Sequence, residues 1–346
     1  LRDAGELLMA RFKVFKVFGA ILMPVLFLPG MVAKQNDGKQ PGNGPTFRVS
    51  VDMVSLPVVV STAKGQRIRN LQKDDFRVYE DNVEQEITGF VAADEPLAVA
   101  LLLDTSGSTR RDLARIQNAA IDFVNQLHPD DEVAVLSFAD DVRLQSDFSI
   151  DRKKNERGIK MTRTGESTVL YEAVWLALEQ VLKPVTERKA LVLFTDGVDT
   201  GSKDSDMGET LDLSKETEAT IYSVYYDTEQ QSGARVSIDP GFPPLIISPF
   251  PRTTNRSGTG STPEDAMRGR AYIKELADNS GGLVLDGNKN LEKTFSEIAK
   301  ELSSQYRIDY YPTNTKSDGK FRKVKIKMKN PDFRVRTRKG YYPKRR

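Results

Sequence analysis

Leu97-Ala98-Val99-Ala100-Leu101-Leu102-Leu103-Asp104-Thr105-Ser106-Gly107-Ser108 is the stretch that decides how this chain is read. Seven apolar residues in a row, closed by an acid, have the pattern of a strand buried on both faces in a parallel sheet. Beyond Ser108 the apolar spacing changes. Leu113, Ile116, Ala120, Phe123, Val124 and Leu127 recur at helical intervals and predict a helix over 110–127. The junction is therefore strand, loop, helix, and in an open α/β sheet ligands bind outside the carboxyl ends of the strands. Asp104, Ser106 and Ser108 put one carboxylate and two hydroxyls on this single loop, which Gly107 allows to turn sharply without a Cβ.

Downstream the alternation continues. Strands are predicted over 133–138, 190–194, 221–226 and 283–285, with a short edge strand over 142–148. Helices are predicted over 168–182, from 272–277 and over 291–302. Strands alternating with helices give a doubly wound, mostly parallel sheet with helices on both faces. Two further loops fall at the same edge of that sheet. Gly165-Glu166-Ser167-Thr168 opens the second long helix, and Thr195-Asp196-Gly197 follows another apolar strand. Asp104, Ser106, Ser108, Thr168 and Asp196 are the candidate metal ligands. Composition narrows the ion: the chain has no cysteine and one histidine, His128, so a His/Cys zinc site is excluded. Oxygen donors select a hard cation, Mg²⁺ or else Mn²⁺ or Ca²⁺. One Ser could merely cap a helix, but that does not account for Thr168 and Asp196 as well.

These residues resemble the von Willebrand factor A (VWA) family and its metal-ion-dependent adhesion site (MIDAS). Asp104, Ser106 and Ser108 match the family's D-x-S-x-S. Thr168-Val169-Leu170-Tyr171-Glu172-Ala173 looks like its T-x-L-Y-D-A, and Asp196 matches the acid after a later strand. The resemblance covers 96–304. It implies a divalent cation touched mainly by hydroxyls, with one or both Asp acting through water, and a protein ligand that presents an Asp or Glu to the ion. The flanks, with Asp75-Phe76-Arg77-Val78-Tyr79-Glu80-Asp81 and Gly340-Tyr341-Tyr342-Pro343, resemble the acidobacterial type of VWFA-related proteins.

At the N-terminus, Arg11, Lys13 and Lys16 precede an apolar run over 17–28, which reads as a signal peptide or a retained anchor within 1–33. The expected location is exported: periplasmic, secreted or N-terminally anchored. Residues 34–45 form a Gly-, Asn- and Pro-rich linker. Residues 46–95 read as a small β-module with strands over 47–60, 76–79 and 85–91 and a turn at Glu80-Asp81-Asn82. Residues 305–346 return to β alternation, through Tyr306, Ile308 and Tyr310, then Val324, Ile326 and Met328, then Phe333 and Val335. Each half is too small for its own core, so the two are expected to form one β-sandwich with the α/β domain (96–304) inserted. Residues 228–265 read as a long flexible loop.

The segment 320–346 carries thirteen Lys and Arg against the single acid Asp332. It reads as a solvated sheet face, or as a patch for an anionic membrane or glycan; nucleic acid is not expected. No G-x-x-x-x-G-K-[ST] occurs, which excludes a P-loop. Ser106 stands where an aspartyl-nucleophile phosphotransferase would place its second Asp. His128 falls at the far end of a helix, away from the loops. The expected function is an exported adhesion or assembly module, not an enzyme. The alternatives are a Mg²⁺-dependent hydrolase, for which Glu166 is the one spare base, and a structural envelope component.

Overall fold

The first strand, β1 (Val54–Ser61), is apolar and β-branched, and all but its last residue are buried. After a short 3-10 turn, β2 (Phe76–Glu80) and β3 (Val83–Gln85) form a tight hairpin. Its two turn residues, Asp81 and Asn82, both have positive φ, as a two-residue hairpin with right-handed strand twist requires. β4 (Ile87–Val91) then leads into the α/β domain. The structure, a computed structural model, describes residues 52–226 and 262–343. The expected signal or anchor, the linker, any strand before Asp52, and most of 228–265 lie outside the described residues.

β5 (Leu97–Asp104) is buried along its whole length. It is followed by α1 (Leu113–Gln126), β6 (Glu132–Phe138), β7 (Val142–Ser146), α2 (Arg152–Lys160) and α3 (Leu170–Leu176). The last turns of α3 widen into a π-helical segment, Ala177–Leu182. β8 (Arg188–Thr195), α4 (Met207–Glu216), β9 (Thr220–Tyr225), α5 (Pro263–Ser280), β10 (Leu283–Asp286) and α6 (Leu291–Leu302) complete the domain. The strand order is β10-β9-β8-β5-β6-β7. All neighbours are parallel except β7, which runs antiparallel to β6 at the edge. Period-two geometry divides β5 between two cores. Leu97, Val99, Leu101 and Leu103 pack with α1 and α6, while Ala100 and Leu102 pack with α3, α4 and α5.

The chain then returns to β structure with β11 (Gln305–Tyr310), β12 (Arg322–Met328), β13 (Arg334–Arg336) and β14 (Gly340–Tyr341). One four-stranded sheet has the order β13-β1-β11-β4 and the other β14-β12-β2-β3. Strands from both ends of the chain therefore share each sheet, with Leu56 opposite Ile308 and Val78 opposite Ile326. Val58, Phe76, Val78, Tyr306, Ile308 and Ile326 belong to one core between the sheets. Inside it Glu80 accepts hydrogen bonds from the Tyr310 and Tyr341 hydroxyls, both at 2.8 Å.

Arginines, buried Arg188 and half-buried Arg67 and Arg336, tie the sandwich to the α/β domain. Arg188 at the start of β8 donates to the carbonyls of Gln305, Ala93 and Glu95. Glu301 near the end of α6 pairs with Arg67 at 3.0 Å and with Arg336.

Several elements differ from the sequence reading. α1 begins at Leu113, not residue 110, because Gly107–Thr109 forms a 3-10 turn first. The charged helix α2 was not anticipated, since Ile159 is its only large apolar residue. It is started by Asp151, whose carboxylate accepts the Lys153 and Lys154 amides. α4 was missed for a similar reason, its buried face being Thr210, Leu211 and Ser214. α5 begins at Pro263, inside the stretch read as loop. Thr262 and Asp265 form a reciprocal capping box there.

Candidate metal centre

β5, β6, β8 and β9 run parallel, so their carboxyl ends share one edge of the sheet. Asp104 ends β5 and is 1% exposed. Both its carboxylate oxygens are held: Oδ1 accepts the Ser106 amide at 2.9 Å and Oδ2 accepts the Thr195 hydroxyl at 2.8 Å. Burial pushes the Asp104 carboxyl above its usual range, and the hydrogen bonds from Ser106 and Thr195 partly oppose this. A charge-stabilising cation would relieve that desolvation. The Ser106 and Ser108 hydroxyls stand 3.1 Å apart. Mg²⁺ holds oxygens at about 2.0–2.1 Å in near-octahedral geometry, so adjacent ligands lie about 2.9 Å from each other. The serine pair fits that spacing. Ser106 is buried and Ser108 exposed, so the site opens outward on the Ser108 side.

The second loop is anchored to the first and to β6. The Gly165 amide donates to the Thr105 carbonyl at 3.0 Å, and the Val169 amide to the Ala139 carbonyl at 2.9 Å. Asp140 accepts the amides of Glu166 and Ser167 and the Ser167 hydroxyl. Those hydrogen bonds, Ser167's first, hold its carboxyl below the usual range. A Cβ on Gly165 would come to 2.5 Å from the Asp140 carboxylate and 2.7 Å from the Ala139 Cβ, so a side chain here would have to displace the loop or Asp140. Thr168 is buried.

The third loop is joined to the second. Thr200 and Gly201 amides donate to the Thr168 carbonyl, and the Thr168 amide donates to the Thr200 hydroxyl at 2.9 Å. Asp199 accepts the Tyr171 amide and the Ser202 hydroxyl. Half-buried Asp196 accepts the Val198 amide at 2.9 Å. Gly197 has φ +84° and lies against the backbone of Gly269 in α5. The three loops that carry the five predicted residues are thus hydrogen-bonded into one edge. Among the described residues, no three acidic or imidazole side chains gather as a metal cluster. The predicted donors at this edge are three hydroxyls, Ser106, Ser108 and Thr168, and two carboxylates, Asp104 and Asp196.

Sequence reasoning assigned no role to Thr195, Asp140, Asp199 or Thr200. Thr195 is legible as the last residue of an apolar strand, and Asp140 as an acid just past one. Asp199 and Thr200 carry no such signal. Glu166, the spare base, instead pairs with Arg110 at 2.5 Å, and both side chains are exposed. His128 follows α1 and precedes β6, at the opposite edge of the sheet; its Nδ1 lies 3.7 Å from Asp130. A cleft lined by Val54, Glu216, Glu218, Thr315, Arg338 and Tyr342 touches none of the three loops.

Sequence comparison finds one family match inside this doubly wound sheet. Residues 99–198 match the family model described as von Willebrand factor type A domain. The solved structures it is similar to include an aerotolerance-related membrane protein from Bacteroides fragilis, at 18% identity and TM-score 0.44, covering 60% of this chain and 98% of that one. A von Willebrand factor type A protein from Catenulispora acidiphila is similar at 12% identity and TM-score 0.45, covering 75% and 72%. Proximal thread matrix protein 1 from the mussel byssus, whose MIDAS motif is described as occupied by zinc, is similar at 15% identity and TM-score 0.42, covering 64% and 48%. No curated protein sequence matches.

Proposed function

We propose that this chain is an exported binding module that recognises a protein partner through a divalent cation, Mg²⁺ by preference, held at the edge formed by Asp104, Ser106, Ser108, Thr168 and Asp196. The observation that carries the reading is the pair of hydroxyls 3.1 Å apart beside the buried Asp104, on a loop locked to the two others. When bound, the cation supplies an electron-poor centre that a carboxylate from a partner can approach. The protein's own groups do the rest. Ser106 and Ser108 offer neutral oxygen, so little negative charge repels the incoming acid. Thr195 and the Ser106 amide orient Asp104, and Asp140 fixes the backbone ahead of Thr168. The export part of the reading rests on the basic residues and apolar run over 11–28. Among the described residues, no helix is long and apolar enough to cross a membrane.

The test is calorimetry with Mn²⁺ and Mg²⁺ on the wild type and on Asp104→Ala. Binding in the wild type and its loss in a variant that still melts cooperatively is the expected outcome. Unchanged Mn²⁺ affinity in that variant would remove Asp104 from the site. For the partner, capture that vanishes in EDTA and in Thr168→Ala, and returns with Mg²⁺ in the wild type, is expected. A partner indifferent to both would show that recognition takes place elsewhere.

A further inference from the structure

The outer face of the β14-β12-β2-β3 sheet is unlike the rest of the sandwich. Along β12, Lys323, Lys325 and Lys327 are exposed while Arg322, Val324 and Ile326 between them are buried. Lys327 stands directly opposite Arg77 of β2, a like-charge cross-strand pair, which costs the sheet stability. Lys325 stands opposite Tyr79, and the Lys327 ammonium lies 4.6 Å from the Tyr79 ring. Alternation along the strand puts Phe321 on this same face, and the register Lys323 to Gly340 puts Tyr342 there too. Phe321 and Tyr342 meet edge to face at 5.2 Å, each 36% exposed. Glu84 shares the face, 3.7 Å from Arg77, and exposed Asp74 and Glu86 lie beside them at its β2–β3 edge. Asp81, in the β2–β3 turn, accepts the Lys323 amide. In sequence, Lys344-Arg345-Arg346 follow directly after this face.

We propose that this face docks on anionic lipid headgroups. A row of lysines with an exposed tyrosine and phenylalanine at one end is the combination that suits a charged, interfacial plane. Lysine carries a compact point charge and no planar fork, which suits a diffuse array of phosphates more than one bidentate site. Single-stranded nucleic acid requires open aromatic faces on which bases stack. Here Lys327 lies over Tyr79, and Phe321 and Tyr342 pack against each other. The proposal does not depend on the metal edge.

The test is sedimentation of the full chain, in EDTA, with vesicles of phosphatidylcholine alone or mixed with phosphatidylglycerol. The readout is the difference between the two vesicle types, because any binding through the apolar run over 17–28 is common to both. Wild type should favour the anionic vesicles, and added salt should weaken that preference. Each lysine near an anionic surface is worth about fivefold in binding (~1 kcal/mol), so Lys323→Gln with Lys325→Gln and Lys327→Gln should lower the preference on the order of 100-fold. The charge-reversed Glu triple variant should abolish it. Thermal melts verify folding, and both triple variants relieve the repulsion from Arg77. Three results would overturn the proposal: no preference for anionic vesicles, a preference unchanged in the folded triple variants, or capture by single-stranded DNA or heparin without capture by vesicles.

Discussion

Gly197→Ala tests whether the third loop is held by a backbone-to-backbone contact. Gly197 has φ +84°, where a Cβ costs about 1–2 kcal/mol. The added Cβ would also lie 2.5 Å from the Gly269 carbonyl oxygen and 2.7 Å from its carbon, both backbone atoms of α5. Overpacking of this kind costs about 1–3 kcal/mol, so the total is about 2–5 kcal/mol. Gly269→Ala is the informative control. In a helix interior alanine is favoured over glycine by about 1 kcal/mol. Its Cβ, however, would meet the Gly197 carbonyl at 2.7 Å and the Asp196 oxygen at 3.1 Å. We therefore expect Gly269→Ala to be neutral or destabilising, up to about 2 kcal/mol. Urea denaturation with an unchanged m-value measures both. In Gly197→Ala the displacement reaches Asp196, so Mn²⁺ affinity should fall as well. If Gly269→Ala is stabilising by the full helical ~1 kcal/mol and Gly197→Ala lies within ~0.5 kcal/mol of wild type, the close approach of α5 to the loop is not real.

Glu301→Ala leaves Arg67 and Arg336 without their common carboxylate at the junction of α6 and the sandwich, so a loss of about 3–5 kcal/mol is expected in chemical denaturation. Thr195→Val removes the donor to Asp104 and the acceptor for the Gly197 amide; we expect about 1–3 kcal/mol of destabilisation and about 10-fold or more weaker Mn²⁺ binding. The Thr262 hydrogen bonds hold the Asp265 carboxyl below its ordinary 3.8. Its contribution is therefore complete above that value and lost as pH falls through the lower, folded-state value. Amide protection in the first turn of α5, taken relative to the intrinsic exchange rate at each pH, should fall as acid passes through that window, and Asp265→Ala should show no such step.

The α/β domain was legible because its signals are local. The run from Leu97 to Leu103 is apolar at every position, which only a strand covered on both faces tolerates, and the acid and serines after it fall where such a strand must end. α6, with a strong apolar stripe from Leu291 to Leu302, was equally plain. α2 and α4 were not, because their buried residues are Asn155, Gly158 and Ile159 in one and Thr210, Leu211 and Ser214 in the other. No hydrophobic periodicity reports burial achieved by small and polar side chains. The same limit applies at the proposed metal edge. Asp104, Ser106, Ser108, Thr168 and Asp196 could be picked from motif and spacing. What orients them could not: Thr195 reaches Asp104 across 91 residues, and Asp140 supports the loop 26 residues further on. The β alternation at each end likewise announced strands but not partners. That β1 lies between β13 and β11, and β2 beside β12, is set by which apolar faces can cover each other once the domain between them has brought the two ends together. Period two tells a strand which way its side chains point, and only the assembled core tells it what they meet.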